Sequence, residues 1–561
     1  MEFRDAVALV TAPGQPLELE RVTADVNGSA VEMNVFKNAP GSLRDALGRH
    51  RDNEAVFLVY EDERWTFRTV MEHVDALAAQ LVEEYGVGKG DRVAIGMRNY
   101  PEWVLSFAAI VSIGAISVSL NAWWTEGEID YALEDSGAKV LIADRERVER
   151  SRSACERLRI RTIGVRGATG AGVDAWAPPS GTPMPAVDVA PDDDATILYT
   201  SGTTGRPKGA VSTHRAVVQS LTAFGCRGAV EAVRNAAKAE ATGDDASAAP
   251  ANPPAFILIV PLFHVTGCVP VMLSCFVNGL KLVVMYKWDP SRALQLIERE
   301  RVTNFVGVPT QSWDLLEAPD FATYDTSSLV SIGGGGAPAP PELVKRVETN
   351  FKGRPNIGYG MTETNAYGPG NSGDDYVSHP SSTGRWVPML ELEVRDPERR
   401  PVPVGETGEI WFKGPHLIRG YWNKPEATAE TIVDGWLRSG DLGRVDEDGF
   451  VYVMDRVKDM VIRAGENVYC AEVEAAIYEH PAVYEAAVFG VPHERLGEEV
   501  AAVVLPRPGT QLTAEELTTH LRDRIASFKI PTRIAFADEQ LPRNPAGKML
   551  KRELRGLFAD A

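Results

Sequence analysis

Apolar positions in the first two hundred residues follow two spacings in turn. Over residues 70–84 they recur every three or four positions, the stripe of an amphipathic helix. Residues 92–96 and 139–143 are instead short apolar runs of the kind that become buried strands. Stripes alternating with such runs predict α/β units on a largely parallel sheet. A second set follows, with 256–260, 281–285 and 304–308 as strands around helices such as 291–300. Between the sets, residues 227–255 are rich in Ala, Asp, Ser and Pro. They are expected to begin as a helix and end as a mobile surface loop over 243–254, an inert insertion rather than a gate.

Past residue 380 the pattern changes. Short strands at 392–395, 408–412 and 450–453 are set apart by Gly, Pro and Asp turns, which predicts an antiparallel β unit. The last hundred residues mix helices (471–479, 514–525) with strands (486–490, 499–505) and read as a separate small α+β domain. The expected architecture is therefore α/β. A large N-terminal domain, 1–457, holds two α/β sheet subdomains and the antiparallel unit, and a small mobile C-terminal domain spans 458–561.

One uncharged stretch, 103–120, is long enough to raise the question of a membrane span. Ser106, Ser112, Ser117 and Ser119 interrupt it, and Gly114 divides it into a buried helix and a short β-branched strand, so no transmembrane segment is expected. With 561 residues the chain exceeds one compact core. Its net charge of −20 argues against a nucleic-acid partner. Five scattered cysteines, odd in number and without metal-ligand spacing, fit a reducing cytosol. The first residues lack the basic and apolar regions of a signal peptide, so a cytoplasmic location is expected.

The strongest chemical signal is Tyr199-Thr-Ser-Gly-Thr-Thr-Gly-Arg-Pro-Lys-Gly209, directly after a short strand-like run. Gly202, Gly205 and Gly209 let the backbone turn sharply and bring N–H groups close to an anion. Thr200, Ser201, Thr203 and Thr204 add hydroxyl donors, and Lys208 adds a point charge. That is what a triphosphate needs. It is not a Walker A loop, because Gly209 follows the lysine where that motif has Ser or Thr.

This segment closely resembles the phosphate loop of the adenylate-forming superfamily: acyl-CoA synthetases, adenylation domains of peptide synthetases and beetle luciferases. Further matches follow in the family's order: Gly335-Gly-Ala-Pro338, Tyr359-Gly-Met-Thr-Glu363, Gly435-Trp-Leu-Arg-Ser-Gly-Asp-Leu-Gly443, Asp455-Arg-Val-Lys-Asp459 and Pro542-Arg-Asn-Pro-Ala-Gly-Lys548. The chain is most similar to an acyl-CoA synthetase of the fatty-acid–CoA ligase type. The resemblance implies ATP, Mg²⁺ and CoA as reactants and cofactor. Gly336, Ala337 and Pro338 would wall the adenine, with Tyr359 against it; Gly360 and Met361 would belong to the same ATP site, Met361 also bordering the acyl pocket with residues 308–310 and the 332–335 strand end. Thr362 would lie near the α-phosphate, and Glu363 would hold Mg²⁺, a hard cation suited to carboxylate and phosphate oxygens. Asp441 would accept hydrogen bonds from the ribose hydroxyls, with Arg456 reaching the same sugar.

Lys548 would neutralise charge as a carboxylate attacks the α-phosphate of ATP. Lys458 falls at the family's hinge, about which the C-terminal domain rotates between the two half-reactions. Residues 463–468 would then line the thiol's tunnel, with Gly465 allowing close approach of the pantetheine arm. Many relatives carry a second glycine where this chain has Ala464, and threonine where it has Ser439. The pattern around Lys548 also resembles sites modified by bacterial lysine acetyltransferases, which would remove its charge.

For the substrate, Pro261-Leu-Phe-His-Val-Thr-Gly267 matters most. Amino-acid-activating relatives usually place an aspartate near the position of His264, so an amino acid is not expected; His264 would gate or orient the acyl group beside the carboxylate. The small residues Gly333–Gly335 suggest room for a medium or long straight-chain fatty acid. An aryl or alicyclic acid, or transfer to a separate carrier protein in place of CoA, remains as an alternative.

Overall fold

The computed structural model describes residues 1–178, 181–200, 206–243, 252–337, 339–544, 547 and 549–558. The alternating pattern folds as α/β units. The first eight-stranded sheet runs, edge to edge, Gly420–Tyr421, Lys208–Thr213, Asp194–Thr200, Ile116–Ser119, Arg92–Gly96, Val140–Ala143, Arg161–Gly164 and Val173–Ala175. It is parallel from Asp194–Thr200 onward and antiparallel at the other edge.

The second eight-stranded sheet is ordered Gly370–Ser372, Arg354–Gly358, Ser331–Gly335, Asn304–Gly307, Ala255–Leu258, Lys281–Val284, Val56–Tyr60 and Glu63–Thr66. Its last two strands come from the N-terminal region, ahead of the whole first sheet. The sequence pattern, which treats the first two hundred residues as one set, does not separate them.

The apolar stretch examined for a membrane span becomes the helix Pro101–Ser112 and the strand Ile116–Ser119, all of whose residues are buried. The helix packs in one core with Leu58, Phe276 and Val283 of the second sheet's side, so both sheets share an interior. Its Glu102 is paired with Arg166 at 2.9 Å. No described helix is long and apolar enough to cross a membrane. The helix expected from residue 227 starts earlier, as His214–Thr242, where the Thr213 side chain accepts from the Ala216 N–H. It ends at Gly243 in the left-handed conformation. Most of the expected loop after it, residues 244–251, lies outside the described residues.

A five-stranded antiparallel sheet holds Glu391–Arg395, Gly408–Lys413, Trp436–Val445, Ile432–Val433 and Val451–Arg456. The last five-stranded sheet is built from Glu466–Val468, Val461–Arg463, Gly497–Pro506, Val483–His493 and Arg533–Phe536. Its two faces carry apolar clusters drawn only from residues after 460.

Asp434 (φ 50°) and Gly435 (φ 77°) close the hairpin of Ile432–Val433 and Trp436–Val445 with a two-residue turn of positive φ, the form that matches strand twist, and two further hairpins do the same. One joins Leu19–Val26 to Ser29–Phe36 through Asn27 (φ 53°) and Gly28 (φ 85°). The other joins Val461–Arg463 to Glu466–Val468 through Ala464 (φ 54°) and Gly465 (φ 86°). Asn-Gly suits such a turn; Ala-Gly forces a Cβ into the left-handed region at about 1 kcal/mol. Ala464→Gly is expected to stabilise the protein by about that amount, read as a higher denaturant midpoint.

His416 is fully buried, and neither ring nitrogen has a hydrogen-bond partner among the described residues. Burial depresses its pKa to about 3 from 6.5. The unfolded chain therefore binds the proton first, and stability contributed by the neutral ring is complete above pH 6.5 and lost as pH falls toward 3. A loss of about 2 kcal/mol by pH 5 is expected from this group, and His416→Leu should flatten that part of the stability–pH curve in chemical denaturation.

Candidate active site

In open α/β sheets, ligands sit beyond the carboxyl ends of the strands where strand order reverses. Both large sheets have such a point. Arg92–Gly96 lies between Ile116–Ser119 and Val140–Ala143, and Ala255–Leu258 lies between Lys281–Val284 and Asn304–Gly307. The residues just past them line one cleft of about 230 Å³: Arg98 and Asn99 from the first, Pro261 and Phe263 from the second. Asn99 clamps the two. Its amide donates to the Val260 and Met285 carbonyls at 3.1 and 3.2 Å, and its Oδ1 accepts from the Leu262 N–H at 2.9 Å.

The glycine-rich loop is the connection of an antiparallel hairpin, Asp194–Thr200 to Lys208–Thr213. Ser201, Gly202, Thr203, Thr204 and Gly205 lie outside the described residues; its feet do not. Thr200 is the register partner of Lys208 and donates from Oγ1 to its carbonyl at 3.3 Å. Asp135 holds one foot by accepting from the Tyr199 hydroxyl at 2.9 Å, and it pairs with Lys424 at 3.1 Å. Burial and Asp135 together push the Tyr199 phenol far up. At the other foot, the Tyr131 hydroxyl donates to the Pro207 carbonyl at 3.2 Å.

Lys208 extends over the ring of Tyr421, 4.1 Å from its centre, and the Tyr421 hydroxyl donates to Glu363 Oε1 at 2.7 Å. Tyr421 lies on the two-residue strand paired to Lys208–Thr213, so an edge strand links the expected phosphate lysine to the expected metal carboxylate. Thr362 and Glu363 sit in a single helical turn directly after Gly360 and Met361. Asn365 (φ 49°) ends that turn and is fully buried, its amide donating to the His416 carbonyl at 2.9 Å and its Oδ1 accepting from Ser212 at 2.9 Å.

Gly336 and Ala337 follow Ser331–Gly335, and Tyr359 follows Arg354–Gly358; these strands are parallel neighbours, so both segments leave the sheet at one edge. Pro338 lies outside the described residues. The Tyr359 hydroxyl donates to Asp441 Oδ2 at 2.6 Å, and Asp441 Oδ1 lies 3.4 Å from Arg456 Nε, its cross-strand partner. Burial, then the neighbouring Asp441, raises the Tyr359 phenol well above its ordinary value. Ser439 Oγ accepts from the Asp441 N–H at 3.0 Å, so the hydroxyl common to Ser and Thr is in use.

The reading of Gly333–Gly335 needs correction. Gly333 and Gly334 have φ of 151° and 147°, and a Cβ on either would stand 1.9 Å from the carbonyl oxygen of Asn356 or Gly307. Backbone already fills the space that their missing side chains suggested for an acyl chain. The cavity against this strand is only about 20 Å³.

His264 closes a turn by donating its N–H to the Pro261 carbonyl at 3.1 Å, and its Nδ1 lies 3.5 Å from the Thr266 N–H. The turn runs into a wide i→i+5 helix, Gly267–Leu273, containing Pro270. Gly267 is required there, because a Cβ would stand 2.3 Å from the Pro261 carbonyl oxygen. Lys458 lies in the turn between the antiparallel sheet and the last sheet, where the Asp459 and Met460 N–H groups both bond the Arg456 carbonyl. Gly465 sits at the hairpin tip already described, with no atom within 4 Å of where its Cβ would be.

Lys548 lies outside the described residues, but its neighbours do not. Arg543, Asn544 and Gly547 line the cleft with Thr310, and Gly547 abuts Val308. Arg543 pairs with Glu485 at 2.8 Å and donates to the Gly547 carbonyl at 2.9 Å. Asp314 accepts from Trp288 at 2.9 Å and from Tyr484 at 3.1 Å, and Glu317 pairs with Arg507. Burial raises the Asp314 carboxyl above its usual range.

Residues 43–422 match the AMP-binding enzyme family, and 472–548 match the AMP-binding enzyme C-terminal domain. The chain belongs to the AMP-binding, adenylate-forming enzymes. It is 38% identical over 477 residues to a feruloyl-CoA synthase of Amycolatopsis sp, covering 84% of this chain and 90% of that one. A methyl-dioxo-octahydroindenyl-propanoyl:CoA ligase of Mycobacterium tuberculosis is 37% identical over 546 residues, covering 94% and 100%. The long-chain-fatty-acid–CoA ligase of Bacillus subtilis is 31% identical over 554 residues, covering 92% and 94%. Among solved structures, an anthranilate CoA ligase in complex with anthranoyl-AMP superposes with a TM-score of 0.80 at 26% identity, covering 93% of this chain and 98% of that one. This AMP-binding enzyme is an AMP-forming acid–thiol ligase that uses ATP and CoA.

Three residues around the candidate site of this AMP-binding enzyme were missed from the sequence: Asn99, Asp135 and Tyr421. Each is a single side chain outside a glycine-rich motif, and its importance depends on which strands end beside it. Asp135→Ala leaves the Tyr199 hydroxyl and Lys424 without their carboxylate. It should raise the KM for ATP about tenfold, with kcat much less affected, in a pyrophosphate-exchange assay.

Proposed function

We propose that the protein converts a compact cyclic carboxylic acid, aryl or alicyclic, to its acyl-adenylate and then to its acyl-CoA thioester. The observation that carries this reading is the cleft at the paired strand-order reversals. Trp123, Phe263, Tyr286 and Trp288 line it, flat faces suited to rings. The glycine strand adds no tunnel. The feruloyl and octahydroindenyl relatives agree with it. A straight-chain fatty acid is the second reading, favoured by the long-chain ligases among the relatives.

In the first step the acid's carboxylate attacks the α-phosphorus of ATP and pyrophosphate leaves. Lys208 and the loop hydroxyls hold the triphosphate, Gly336, Ala337 and Tyr359 flank the adenine, and Asp441 with Arg456 receives the ribose. Glu363 keeps one carboxylate oxygen on Tyr421, leaving the other to face a cation. Glu363 would hold Mg²⁺ through that oxygen, a hard donor suited to a hard cation. When bound, that ion supplies positive charge to the phosphates.

Lys548, carried by a C-terminal domain that begins at 458, neutralises the charge developing at the α-phosphate. Rotation about Lys458 then withdraws it and brings Gly465 toward the thiol. In the second step the CoA sulfur attacks the acyl carbon and AMP leaves. His264, next in the chain to the cleft residue Phe263, orients the acyl group.

A mass-spectrometric assay with ATP, Mg²⁺ and aryl, alicyclic and fatty acids, each with and without CoA, tests the reading. Acyl-CoA, AMP and pyrophosphate are expected from the cyclic acids. Turnover of fatty acids alone would select the second reading, and acyl-adenylate without acyl-CoA would point to a carrier protein. Lys548→Ala should slow adenylate formation at least about a hundredfold yet still convert a preformed acyl-adenylate with CoA. Equal loss of both half-reactions would refute the role given to Lys548.

A further inference from the structure

The cleft contains two cations that nothing in the mechanism uses. Arg98 follows the Arg92–Gly96 strand at the first order reversal, and Lys287 follows Lys281–Val284 in the second sheet. The Arg98 backbone N–H donates to Asp144 Oδ2 at 3.1 Å, but Asp144 is paired with Arg147. The Arg98 guanidinium makes no hydrogen bond or ion pair among the described residues, and its Nε is buried without a partner. Its Cζ lies over the Trp123 ring, 3.9 Å from the ring centre, with the Tyr286 ring centre 5.6 Å away. Burial lowers its pKa, so the charge is held in place against a desolvation cost.

Aromatic contacts orient the guanidinium without neutralising it. Trp123 is itself held edge-on by Phe263 at 5.4 Å, yet stays 39% exposed. The acidic groups of the same cleft are already engaged. Asp314 accepts from Trp288 and Tyr484, and Glu485 pairs with Arg543. Among the described residues neither Arg98 nor Lys287 has an ion-pair partner, so this cleft gathers positive charge in a chain whose net charge is −20.

We propose that Arg98, oriented by Trp123 and Tyr286 and assisted by Lys287, is an oxyanion-receiving subsite of this cleft that selects among the reactants. This rests on the cleft being where the reactants meet. The chemistry recognised is a carboxylate or phosphate. It is supplied by a second acidic group at the far end of the acid, or by a phosphate of CoA or of released pyrophosphate. An arginine stacked at this point favours a planar or tetrahedral oxyanion over a neutral tail.

Isothermal titration of wild type, Arg98→Met and Arg98→Lys with CoA, with inorganic pyrophosphate, and with cyclic acids bearing one or two carboxylates separates these sources. Methionine preserves contact with Trp123 and removes only the charge, and an unchanged melting temperature will show that the fold is intact. At least a tenfold rise in Kd for one of these probes is expected in Arg98→Met, with partial recovery in Arg98→Lys and less than a twofold change for monocarboxylic acids. Which probe is affected identifies the source. Dissociation constants within twofold of wild type for every anion would overturn the subsite. These are binding measurements, so an enzyme that turned over no acid would count against the proposed reaction and leave this result standing on its own.

Discussion

A single buried amide sets the geometry on which the site depends. Asn99 belongs to the first sheet, yet all three of its hydrogen bonds go to backbone of the second, at the ends of two adjacent strands. Each such bond is worth about 1 kcal/mol in stability. Its larger effect is positional, because it fixes one strand-order reversal against another. The shared apolar core brings the sheets together without choosing their offset; the amide chooses it. The cleft, the His264 turn and the stacked Arg98 all lie within a few residues of groups that Asn99 touches.

Electrostatics around the nucleotide are organised along the same lines. Glu363 reaches Lys208 through the hydroxyl and ring of Tyr421, on a strand of only two residues. Asp441 is held by Tyr359 from one strand end and by Arg456 from the facing strand. Burial, and then the carboxylate beside each, drives the Tyr359 and Tyr421 phenols further from ionisation, so both remain donors to Asp441 and Glu363.

Much of this was legible in the sequence, and the failures share a cause. Lys208 could be named because glycines and hydroxyl residues cluster around it, whereas Glu363 and Asp441 could be named only because the motifs that hold them resemble those of a known family. The helix Pro101–Ser112 was readable from its serines and the glycine after it. Membership of Val56–Tyr60 in the second sheet was not, since pairing with strands more than two hundred residues away leaves no local trace. Tyr421 and Asp135 escaped for the same reason. Gly333–Gly335 misled in a different way: small side chains were taken as room for a ligand, whereas the backbone of adjacent strands required them. Asn27-Gly28, flanked by alternating residues, carried a hairpin signal that was present and overlooked.

The residues after 460 keep both of their apolar clusters to themselves. What fastens them to the rest at Asp314 and Glu317 is a phenol, a guanidinium and two carboxylates, groups that water accepts almost as readily as protein does. Such a joint has little grease to expose when it parts. A movement there would trade hydration for contact at nearly level free energy and would leave the interior of neither half disturbed.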